Sequence, residues 1–129
     1  MTRLTAYGET DGTTITGTFP LGSEWFGAPV TEILLEKGLS YEIKSIEVSG
    51  AICDVTIEVT YDADWTHAVV IKQIKLEAAK QITVMTPATP HILNCHLNDM
   101  VKLRARWTQT TAAKTYLTLT IDTIVKELA

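Results

Sequence analysis

The chain lacks the common motifs of covalent and metal chemistry. It has no Gly-x-Ser-x-Gly elbow, no phosphate-binding glycine loop and no His-Glu-x-x-His pair. It has two cysteines, too few for a disulfide scaffold. Both Cys53 and Cys95 sit in apolar, strand-like stretches, so two buried free thiols are expected, with a single bridge between them as the alternative. No apolar run approaches the roughly 18 residues of a membrane helix, so no membrane partner is expected. Basic residues number 11 against 15 acidic ones, a net charge of −4, which gives no electrostatic reason to expect nucleic acid. The opening MTRLTAYGETDG has no apolar segment of the signal-peptide kind, which makes the cytoplasm the default location.

What is present is β-sheet patterning. At 129 residues and 46% hydrophobic content the expectation is one domain over residues 1–129. Threonine makes up about one residue in six. It is β-branched and polar, and suits the wet face of a strand. Strands are predicted over Thr13–Phe19, Val30–Glu36, Ser40–Ser49, Ala51–Tyr61, Ala68–Glu77, Gln81–Met85, Ile92–Leu97, Met100–Gln109 and Tyr116–Val125. Ser40–Ser49 puts Tyr41 and Ile43 on one parity and Ile46 and Val48 on the other, so a β-bulge is predicted near Lys44-Ser45. Residues 71–80 also fit helical spacing, but three β-branched residues open the segment and favour strand. The last two strands, joined by Thr-Thr-Ala-Ala-Lys, read as an antiparallel hairpin. Eight or nine short strands argue for an all-β fold, an antiparallel two-sheet sandwich of jelly-roll or Greek-key kind.

Five groups of residues are candidate sites. Lys102, Arg104 and Arg106 share the outer face of Met100–Gln109, about 7 Å apart along the strand. They form either a contact row for an anionic partner or ion pairs with Asp54, Glu58 or Asp122. Trp25 and Phe26 lie in a glycine-bracketed loop, as interface anchors or as a cap on the sandwich. With Tyr61 and Trp65, Trp25 also makes a candidate sugar platform. Asp62 and Asp64 are too few for a calcium loop, and a solvated turn is expected. His91, Cys95 and His96 are poor zinc ligands, because adjacent strand residues face opposite ways. No metal or cofactor is expected.

Catalysis finds no support. Asp54 and Glu58 share a strand face but lie about 13 Å apart by strand rise, too far for paired-carboxylate chemistry. The expectation is a protein that is not an enzyme.

The block MVKLRARWTQTTAAKTYLTLTIDTI, residues 100–124, resembles the closing hairpin of small β-sandwich proteins from tailed-virus particles. Those are decoration, head-fibre and tail-associated modules. The shared features are Lys/Arg alternating with apolar residues, a small-residue loop and a Thr/Leu run. The resemblance implies a structural protein that forms homo-oligomers, often trimers, and binds a larger shell; its location would then be the virion. The expected function is therefore a non-enzymatic structural or assembly protein making contacts through Trp25, Phe26 and the outer strand faces. The alternative is a carbohydrate-binding module using Trp25, Tyr61 and Trp65.

Overall fold

The computed structural model describes residues 3–23, 27–35, 40–60, 65–85, 91–94 and 101–124, with backbone only at 91–94 and 124. Their strands are β1 (Arg3–Glu9), β2 (Thr16–Thr18), β3 (Leu21–Gly22), β4 (Ile33–Leu35), β5 (Ser40–Gly50) and β6 (Cys53–Thr60). There follow β7 (Val69–Leu76), β8 (Gln81–Met85), β9 (His91–Asn94), β10 (Val101–Gln109) and β11 (Thr115–Ile124). The first sheet has the order β3-β1-β11-β5-β8, with β9 also on β5. The second has the order β2-β10-β6-β7, with β4 also on β10. All pairings are antiparallel. The fold is the expected all-β, two-sheet sandwich.

The inner faces follow from the period-two patterns. Leu117, Leu119 and Ile121 of β11 are buried, as are Val101, Leu103, Ala105 and Trp107 of β10 and Val55, Ile57 and Val59 of β6. Each large apolar side chain removed from water in this way contributes about 1.5–3 kcal/mol. Phe19 meets Trp107 edge to face, with centroids 5.1 Å apart. Cys53 is a buried free thiol, and burial pushes its pKa up. Cys95 lies outside the described residues.

The β5 bulge falls where it was expected. Thr120 pairs with Ser45 and Ile121 with Ile43, leaving Lys44 as the extra residue. The added residue reverses the parity, so Tyr41, Ile43, Ile46 and Val48 are all buried on one side. Residues 71–80 are not helical. Val69–Leu76 is a strand, and Gln81 accepts the N–H groups of Glu77 and Ala78 to close the turn before β8.

Two sequence expectations need correction. Arg3–Glu9 is a full strand, unforeseen because Tyr7 on the outer parity and Gly8 on the inner one blur the alternation. The terminal pair is not a hairpin: β10 lies in the second sheet and β11 in the first. Alternation tells each strand which face to bury but not which strand to pair with. Here residues 110–114 span the gap of about 10 Å between packed sheets. The crossing is tied down by Thr10. Its N–H donates to the Thr115 carbonyl, and its hydroxyl donates to the Ala113 carbonyl (2.8 Å) and accepts the Thr115 N–H (2.9 Å). Among the described residues, only β6 and β7 are consecutive strands that pair.

Candidate functional site

The two outer faces differ in kind. On the second sheet, register places Arg104 opposite Glu58. Arg104 Nε lies 2.5 Å from Glu58 Oε1, and Arg106 Nε lies 2.9 Å from the same oxygen. Lys102 Nζ sits 3.3 Å from Glu32 Oε2. The indole N–H of Trp65 donates to the other oxygen of Glu32, and the Trp65 ring lies under the Arg104 guanidinium at 4.0 Å from centroid to Cζ. Trp65 takes a positive φ of 64°, and its ring lies against β10.

The result is one continuous polar network on the outside of β4, β6 and β10. Glu58 is only 3% exposed because the arginines cover it. A buried carboxylate needs such partners; a single unpaired charge there would cost several kcal/mol. The Glu32 carboxyl is held below its usual range by the Trp65 hydrogen bond first, then by Lys102 and Arg104. The basic row is thus ion-paired within its own sheet. Three cations share two carboxylates, so the row keeps one net positive charge, and Arg106, with its side chain half exposed, is the member most open to a partner. Of the three acids weighed from sequence, Glu58 is the partner. Asp122 belongs to the other sheet, where Arg3 grips it at 2.7 Å and holds its carboxyl low. Glu32 was missed, since nothing in the pattern connects a loop acid to Lys102 and Trp65.

The outer face of the first sheet mixes exposed apolar side chains with charges such as Glu9, Glu47 and the Arg3–Asp122 pair. One row across it runs Tyr7, Thr118, Glu47, Val84; the next runs Glu9, Tyr116, Ser49, Ile82. Tyr7 is 61% exposed, Tyr116 49%, Ile82 70% and Val84 52%. Tyr7 and Tyr116 are diagonal neighbours on β1 and β11, and they rim a shallow depression of about 380 Å³. Gly8, Glu9, Pro20, Gly22 and Pro29 complete its lining. The sequence held a signal for this face, the alternation in YLTLTIDTI, but β1 went unrecognised and its tyrosine with it.

Trp25, Phe26 and Tyr61 lie outside the described residues, as do Asp62, Asp64, Cys95 and His96. Among the described residues, no group of three or more His, Cys, Asp or Glu is placed to hold a metal ion. No helix there is long and apolar enough to cross a membrane. No protein-family model matches the chain, and no curated protein does. A solved structure described as "CBM4 structure and function" is similar to it at 13% identity, covering 95% of this chain and 78% of its own, with a TM-score of 0.44.

Proposed function

We propose that this domain is a non-enzymatic structural module that self-associates and joins a larger protein assembly. One observation carries the reading. Four large apolar side chains, Tyr7, Tyr116, Ile82 and Val84, stand exposed on one sheet face, spaced by Thr118, Ser49 and Glu47. Scattered apolar exposure is normal, but a grouped set on a rigid sheet is the usual mark of a contact surface. Tyrosines are efficient anchors because they bury a large area while fixing few torsions. The tailed-virus resemblance of residues 100–124 agrees with a shell-bound decoration or tail-associated role.

Sedimentation velocity over a wide concentration range tests the reading. Self-association that weakens in the quadruple variant Tyr7→Ser/Ile82→Ser/Val84→Ser/Tyr116→Ser is the expected result. A strict monomer at millimolar concentration refutes it. A second reading has one observation of its own: the Tyr7 and Tyr116 rings beside Glu9 could receive a sugar face in the depression. Glycan-array binding lost in Tyr116→Ala would support it. The loop-aromatic version has a constraint, because one face of Trp65 is already stacked on Arg104.

A further inference from the structure

The strand edges of this sandwich are not equally protected. A strand edge presents free N–H and C=O groups, and proteins guard it with charge, brevity, bulges or a covering segment. The β7 edge carries Lys72 and Lys75, and Ile71 is an extra, bulged residue between the Ile57–Lys72 and Glu58–Val70 pairs. β2 and β4 have three residues each. β3 has two, and its Leu21 is bridged by Val30. β9 has four residues. β8 is different. Its five residues, Gln-Ile-Thr-Val-Met, carry no charge, no proline and no glycine, and pair with β5 without a bulge. Among the described residues no strand pairs with its far side.

The segment is also complementary to itself. Turned about a two-fold axis through Thr83, β8 pairs antiparallel with its own copy. Ile82 then faces Val84 of the copy, Val84 faces the copy's Ile82, and Gln81 faces its Met85. The axis is normal to the sheet, so the outer faces stay on one side. Ile82 and Val84, the exposed apolar residues nearest the edge, become two apolar cross-strand pairs. No like charges meet along the seam.

We infer that two copies of this chain join edge to edge through β8, fusing their six-stranded sheets into one continuous sheet across an isologous two-fold interface. The inference rests on the self-association reading and names its surface and symmetry. It also doubles the apolar patch at the edge, because each copy's Ile82 and Val84 adjoin the other's.

The test uses the full chain and two variants, Ile82→Lys/Val84→Lys and Ile82→Glu/Val84→Glu. Both positions are exposed, so folding should survive; circular dichroism checks that it does. Sedimentation equilibrium should give a dimer for the unaltered chain. Each variant alone should dimerise at least about tenfold more weakly, because like charges oppose directly across the pair. An equimolar mixture of the two should restore a dimer, since residue 82 of one meets residue 84 of the other. Amide exchange within Gln81–Met85 of the unaltered chain should slow as concentration rises, a readout that needs no variant. Variants that dimerise like the parent, a parent trimer, an unrestored mixture or concentration-independent exchange would each overturn the β8 seam while leaving self-association intact. A parent that stays monomeric throughout removes both.

Discussion

Glu58→Gln is the sharpest probe of the outer network on the second sheet. The substitution keeps the shape and one acceptor oxygen but removes the charge that Arg104 and Arg106 share. A hydrogen bond to a charged group is worth about 1.5–3 kcal/mol net, against about 1 kcal/mol for a neutral one. The Arg104 contact should lose the larger part. Its side chain is 21% exposed and its partner's 4%, so water screens it weakly. The Arg106 side chain is half exposed, and its contact should lose well under 1 kcal/mol. The expected destabilisation is about 2 kcal/mol, read as a lowered urea midpoint with unchanged slope. For a chain of this size that lowers Tm by roughly 8 °C. Glu58→Leu should cost more, about 3–5 kcal/mol, because Arg104 is left charged and unpaired beneath its cover. Adding Arg104→Met to Glu58→Leu should recover most of that loss. If Glu58→Gln changes stability by less than about 0.5 kcal/mol, the carboxylate is not paired as described and the network argument fails.

Three further outcomes follow from other parts of the fold. Asp11 accepts the N–H groups of Thr13 and Thr14 and the Thr14 hydroxyl, which pull its pKa down from 3.8 to about 2. Its folded value is depressed, so its contribution to stability is full above pH 3.8 and lost as pH falls through about 2. A carboxyl-carbon NMR titration should place its midpoint near 2; a midpoint near 3.8 counts against the turn geometry. Gly50 has φ of +121°, and a Cβ there would sit 2.5 Å from the Lys114 carbonyl oxygen. Gly50→Ala should therefore destabilise by more than about 2 kcal/mol in thermal or urea unfolding, and a neutral result would mean the β5–β6 crossing differs. Thr10 is fully buried and is both donor and acceptor at the β10–β11 crossing. Thr10→Val should cost about 1–3 kcal/mol, with faster amide exchange at Thr115; unchanged exchange would argue against that anchor.

How much was legible depends on what kind of information each feature needs. The burial of Val101, Leu103, Trp107, Leu117, Leu119 and Ile121 was readable, because period two assigns a face locally. So was the Lys44 bulge, since a slipped parity can be buried on one side only by an extra residue. β1 was not, because Tyr7 puts a large aromatic on the outer parity and Gly8 leaves no side chain on the inner one, and its burial comes from packing beside β11. The partner of the basic row was half legible: Glu58 was named, but Glu32 and Trp65 reach Lys102 and Arg104 from loops distant in sequence. The Tyr7–Tyr116 pair was out of reach for the same reason, since 109 positions of sequence separate two side chains on adjacent strands.

By itself the sequence determined most of the longer strands other than β1, their inward and outward faces, the bulge and the shortage of recognisable chemical motifs. These are local properties of alternation, β-branching and composition. Tertiary structure alone decided which sheet each strand joins. Residues 100–125 had every mark of a hairpin, yet β10 pairs with β6 and β11 with β5. Two amphipathic strands can bury their apolar faces side by side in one sheet or face to face across two. The local pattern is identical in both cases. The choice rests on the loop length and, through residues far apart in the chain, on the Thr10 anchor and the competing edges of β5 and β6.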